Sequence, residues 1–104
     1  MNYLSAINDF DKVIKIYDAL KNYDLEGNAY LNKAYCYAKL RRKDSAETII
    51  NYLYKIDSTN AATLEYKGLI SIESNELKTG CYYLYEAKER GSQDAADSLK
   101  KYCK

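Results

Sequence analysis

Residues 27–60, GNAYLNKAYCYAKLRRKDSAETIINYLYKIDSTN, slide by thirty-four places onto residues 61–94, AATLEYKGLISIESNELKTGCYYLYEAKERGSQD, without a gap. Small residues then meet small residues: Ala34 falls on Gly68 and Ala46 on Gly80. Two helix backbones approach closely only where side chains are small, so these coincidences mark expected crossing points. Ile50 falls on Leu84, and Leu53 on Ala87. Carried backwards, the same shift lays Val13, Tyr17 and Leu20 on Ala46, Ile50 and Leu53; carried forwards, it lays Ala61 and Ala62 on Ala95 and Ala96. A period of this length over nearly the whole chain predicts stacked copies of one supersecondary unit.

The unit reads as helical. There is no proline and there are only four glycines, while the apolar residues recur at three- and four-residue spacing rather than alternating. Between 44 and 56 the positions Ala46, Ile49, Ile50, Leu53 and Ile56 follow that rhythm. Asp44 is the expected N-cap there, with Glu47 three residues on. Further helices are expected at about 2–22, 28–40, 61–73, 76–90 and 93–103. Their punctuation is Asp24 to Gly27, Ser58 to Asn60, Ser74-Asn75 and Gly91-Ser92. Connections this short make neighbouring helices antiparallel.

In residue class the pattern resembles the tetratricopeptide repeat (TPR) family, whose thirty-four-residue unit is a helical hairpin. The aromatic position early in the family's first helix looks like Tyr30 and Leu64, its small residue like Ala34 and Gly68, and its following Tyr like Tyr37, which Ser71 breaks. The small residues of the second helix resemble Ala46 and Gly80, and its large apolar ones Tyr17, Ile50 and Leu84. No Trp occurs, Lys33 and Lys67 stand where the family usually has Leu, and Ser58 and Ser92 where it usually has Pro. The resemblance implies an all-α right-handed superhelix of antiparallel hairpins and a protein-binding role. It divides a single domain, 1–104, into a partial repeat or N-terminal helix at 1–26, full repeats at 27–60 and 61–94, and a capping helix at 95–104. The first unit lacks its first helix in this register, so either a segment precedes it or Tyr3, Leu4, Ile7, Phe10, Ile14 and Tyr17 form one long amphipathic cap. Asp97, Lys100, Lys101 and Lys104 make the last helix polar outside, as a terminal cap requires.

Composition narrows the function. Sixteen basic and fifteen acidic side chains leave a net charge of +1, too little field to gather phosphates or anionic lipid, so neither nucleic acid nor a membrane is an expected partner. Arg41-Arg42-Lys43 is a short cluster read as a solvated loop. No apolar run approaches the roughly 18 residues of a membrane helix, and the N-terminus lacks the build of a signal peptide. The expectation is a soluble chain of undetermined compartment.

Histidine is absent, which removes the usual general base and imidazole ligand. Cys36, Cys81 and Cys103 form no C-x-x-C pair and supply too few thiolates for a closed zinc site. Gly27, Gly68, Gly80 and Gly91 make no phosphate loop. No catalytic residue, metal or cofactor is therefore expected. Cys36 reads as a buried hydrophobe. Cys81 begins a second helix and Cys103 ends the cap, so antiparallel stacking would bring them together; a disulfide stays open, and it would imply an oxidising, exported compartment rather than the cytoplasm. The thirteen tyrosines exceed what a small core can use, so Tyr52, Tyr54, Tyr82, Tyr83 and Tyr85 are expected on helix flanks with wet hydroxyls.

The resemblance further implies that the first helices of the stacked hairpins line a concave wall. On 61–73, Glu65, Tyr66, Leu69 and Ile72 share a face, and in the preceding unit Leu31, Asn32, Tyr35, Ala38 and Lys39 hold the matching places. An apolar centre rimmed by Lys39, Glu65 and Glu73 reads as a surface for a peptide or partner protein. The resemblance also places Leu31 and Tyr35 where some family members carry polar residues that grip a C-terminal carboxylate, which argues against that subtype and for apolar contacts. The alternative is a structural module, in which the same patch joins a longer solenoid or a second copy of the chain.

Overall fold

A computed structural model describes residues 2–104, which form six helices and, among those residues, no strand. They are α1 (Tyr3–Ala19), α2 (Tyr23–Lys39), α3 (Lys43–Ile56), α4 (Ala61–Glu73), α5 (Leu77–Glu89) and α6 (Gln93–Tyr102). None is long and apolar enough to cross a membrane. Each helix packs on its neighbours in sequence, and α4 also packs on α2. The result is elongated, 41 × 26 × 21 Å.

The same device makes four of the five turns. Arg41 N–H donates to the Ala38 carbonyl and Arg42 N–H to that of Tyr37; thirty-four residues later Asn75 donates to Ile72 and Glu76 to Ser71. Lys21 and Asn22 donate in the same way to Asp18 and Tyr17, and Gly91 and Ser92 to Lys88 and Ala87. This closes each helix by feeding its orphan carbonyls, and it requires one left-handed residue. Gly91 supplies it at φ 99°, but Lys21, Arg41 and Asn75 take φ 54°, 63° and 63°, costing about 1 kcal/mol or more apiece. Asn22, Asn60 and Ser92 then accept from the N–H groups of Leu25, Thr63 and Ala95 and so cap α2, α4 and α6.

Two boundaries differ from the sequence expectation. Asp24 to Gly27 do not separate helices but form the first turns of α2, which crosses the division placed at residue 26; the break is Leu20 to Asn22. Lys21 makes the left-handed turn without glycine, and Asp24 and Glu26 then favour the positive helix start. Asp44 is not the N-cap of α3. Arg42 holds that place with no side-chain cap, and Asp44 sits in the first turn, its carbonyl accepting from Thr48 Oγ1. The turn through Arg41 ends α2 and starts α3 earlier than the capping pattern suggests.

Two apolar clusters share α4. Leu31, Ala34 and Ala38 of α2 meet Ala46 and Ile50 of α3 and Ile70 of α4; Leu64 of α4 meets Leu84 and Ala87 of α5 and Ala95 of α6. Ile50 and Leu84, at equivalent repeat positions, are the largest fully buried side chains. Helices α4 and α5 cross where glycine faces glycine: a Cβ on Gly80 would stand 2.5 Å from Ile72 Cγ1 and 2.8 Å from the Gly68 carbonyl oxygen, and one on Gly68 would stand 2.8 Å from the Gly80 oxygen and from Leu84 Cγ. Backbone must move to admit even a methyl group. Gly80→Ala is therefore expected to lower the free energy of unfolding by about 1–3 kcal/mol. Gly27→Ala, in the open interior of α2 with nothing within 4 Å of an added Cβ, should raise it by about 0.4–1 kcal/mol; urea titration of the two variants against wild type reads both signs.

Candidate functional site

The α2–α4 wall is built from residues one repeat apart. Tyr66 Oη donates to Asn32 Oδ1 at 2.9 Å, and Lys39 Nζ bonds Glu73 Oε1. Both pairs span thirty-four positions, so at these two places a residue of α2 meets its own counterpart on α4. Asn32 Nδ2 is held by the Asn28 carbonyl at 2.9 Å, and Arg41 Nη1 donates to the Glu73 carbonyl at 2.8 Å. The Tyr35 and Tyr66 rings meet edge to face at 6.2 Å, and Lys39 Nζ stands 5.4 Å from the Tyr35 ring centre, a geometry that favours the cation by about 0.5–1 kcal/mol.

Electrostatics follow from this half-buried strip. The bond to Glu73 is the main reason the Lys39 ammonium titrates well above the ordinary lysine range. Burial pushes the Tyr35 and Tyr66 hydroxyls up, and Lys39 pulls partly the other way on Tyr35.

The remaining expected wall residues go elsewhere. Leu31 is buried in the α2–α3–α4 core and has no surface to offer. Leu69 and Ile72 pack against the α4–α5–α6 cluster. Glu65 lies toward the start of α6, with Ser92 Oγ 3.5 Å from its Oε1; burial first, and then Asp94, raise its carboxyl above the usual range. Leu31 is thus lost to the core, and Leu69 and Ile72, half-buried like Tyr35 and Tyr66, pack on the α4–α5–α6 side, while Asn32, Tyr35, Lys39 and Tyr66 line the α2–α4 wall.

Apolar surface is open at another place. A groove of about 670 Å³ runs between Tyr23, Glu26, Gly27 and Tyr30 of α2 and Thr48, Ile49, Tyr52, Leu53 and Ile56 of α3. Sequence reading took Tyr52 as a helix flank; Tyr23, Tyr52 and Ile56 are all exposed. The signal was their spacing: Tyr23, Tyr30 and Gly27 fall on one face of α2, but only once α2 begins at Tyr23.

Tyr54, Tyr82 and Tyr83 do more than cover flanks. Tyr83 meets both of the others edge to face, and Lys67 Nζ lies 5.0 Å from the Tyr54 and Tyr83 ring centres while donating to Asn51 Oδ1. Burial pulls the Lys67 ammonium down. Tyr85 is exposed. Cys81 and Cys103 are bridged, joining the second turn of α5 to the end of α6. Cys36 is a buried free thiol whose titration burial pushes up. Among the described residues no group of three or more His, Cys, Asp or Glu side chains could hold a metal ion.

Compared with known proteins, the chain matches no family model, no curated protein and no solved structure.

Two outcomes follow. Lys39 gains its partner on folding and its titration rises, so its stabilisation is complete below the ordinary lysine value of 10.5 and is lost as pH climbs through the raised folded value. The stability gap between wild type and Lys39→Met, about 1 kcal/mol, should be flat up to about that pH and then shrink; urea titrations at stepped pH measure it. Reduction of the bridge, with a sequence separation of 22, should cost about 3 kcal/mol, read as a lower denaturation midpoint for a Cys81→Ser, Cys103→Ser chain.

Proposed function

We propose that this chain is a non-catalytic protein-binding module with TPR-like hairpin repeats, in which α2–α3 and α4–α5 are successive units and a partner segment lies across the α2–α4 wall. The observation that carries the reading is the pairing of Asn32 with Tyr66 and of Lys39 with Glu73, each at the repeat distance. Side-by-side contact of equivalent positions is what translation of one hairpin along a stack produces. The matched turns at Arg41 and Asn75 and the small-residue crossings Ala34/Ala46 and Gly68/Gly80 support the same translation.

A wall whose polar groups already bond one another offers a partner its ring faces and its outer edge. Tyr35 and Tyr66 are half-buried and held in fixed orientations by each other, by Asn32 and by Lys39. Rigid aromatic faces give contact area at little cost in side-chain entropy, which suits a peptide anchored by apolar side chains. Lys39 and Glu73 neutralise each other, so the wall does not select strongly charged partners.

The test uses a displayed library of short linear peptides selected on wild type and then measured on Tyr35→Ala and on Tyr66→Phe. Selected peptides should bind Tyr35→Ala about tenfold or more weakly, the loss of one central aromatic contact, while Tyr66→Phe keeps most of the affinity because the ring face stays. Peptides that bind Tyr35→Ala as tightly as wild type, with the variant's helicity unchanged, would remove the wall from the proposal.

A further inference from the structure

Five large apolar side chains are exposed at one end of the first three helices: Ile16 (55 %) and Leu20 (70 %) at the end of α1, Tyr23 (63 %) at the start of α2, and Tyr52 (64 %) and Ile56 (66 %) at the end of α3. Antiparallel succession brings these three helix ends together. Leu20 and Tyr23 line one depression, and Tyr23 continues into the groove that Tyr52 and Ile56 also line. Monomeric proteins rarely leave large contiguous apolar patches uncovered.

Charge on this patch is divided. Glu26 lines the groove with its Oε2 buried and unsatisfied; burial first, and then the Asp18 carboxylate nearby, raise its titration. Among the described residues no ion pair reaches either carboxylate, although Lys21 and Lys55 are exposed at the same end. Helix α1 carries the complement: Lys12, Ile16 and Leu20 follow one another at four-residue spacing on its outer side, with Lys15 adjacent, all exposed. One surface therefore holds an acidic apolar groove and, next to it, a basic apolar ridge.

We propose that the occupant of the α2–α3 groove is the outer ridge of α1 from a second copy of this chain, in a two-fold dimer where each copy's Ile16 and Leu20 enter the other's groove. A two-fold axis makes the same patch serve as donor and receiver, so the contact closes at two chains. Lys12 and Lys15 of each copy then meet the unpaired carboxylates of the other, and the buried Glu26 oxygen gains a donor. The α2–α4 wall takes no part in this contact, and the dimer does not depend on the reading of that wall.

Sedimentation velocity and light scattering across a wide concentration range test it on the full oxidised chain, with Leu20→Glu and Ile56→Glu as variants. Both residues are mostly exposed, so both variants should keep wild-type helicity and, at concentrations where wild type is monomeric, its melting temperature. The expected result is a wild-type mass rising from 12.0 kDa to twice that value, with self-association weakened about tenfold or more in either variant. A chain that stays monomeric at every concentration, a dimer that both variants leave intact, or growth beyond two chains would each overturn the proposal.

Discussion

Everything in this fold depends on how closely two helix backbones can approach at the centre of each hairpin. At Gly68 and Gly80 the approach is tight enough that a single added methyl would strike main-chain atoms. One repeat earlier, Ala34 and Ala46 hold the same places and are fully excluded from solvent. Small residues at these points let the larger ones on either side, Ile50 and Leu84, reach across and fill the space between helices. The hairpins can then stack, with α4 serving both apolar clusters. Loss of contact at the crossing would separate the helices that carry every other feature described.

The wall between α2 and α4 is a consequence of that stacking. At two places on this wall a residue of α2 meets the residue thirty-four positions later on α4, and the side chains suit each other. Asn32 with Tyr66 and Lys39 with Glu73 do so by hydrogen bond and by charge. This removes polar groups from water without leaving them unpaired. It also means that Lys39 and Glu73, two of the three charges read as a rim, neutralise each other.

Much of the helical layout was legible. Helix α4 spans the residues its periodicity indicated, and the turns at Ser74 and Gly91 fall where punctuation placed them. The start of α2 was not legible, because Asp24 to Gly27 look like a loop by composition and become helix by position. The signal that decided it was the left-handed turn at Lys21, and a lysine does not advertise that conformation. Asp44 failed as a cap for a related reason: the turn through Arg41 had already begun α3.

The candidate site was legible in part, and the division has a physical basis. By itself the sequence determined the thirty-four-residue period, the helical character, the crossing points and the absence of histidine, since these depend on residue type and spacing along one chain. Which face of each helix is spent on the core was decided only by the tertiary structure. Leu31 has the same amphipathic spacing as residues on an open wall but is buried between helices, and Leu69 and Ile72 are half-covered on the α4–α5–α6 side, while Tyr23, Tyr52 and Ile56 are exposed. Periodicity along a helix marks two apolar faces equally, and only the arrangement of the other helices determines which one meets water.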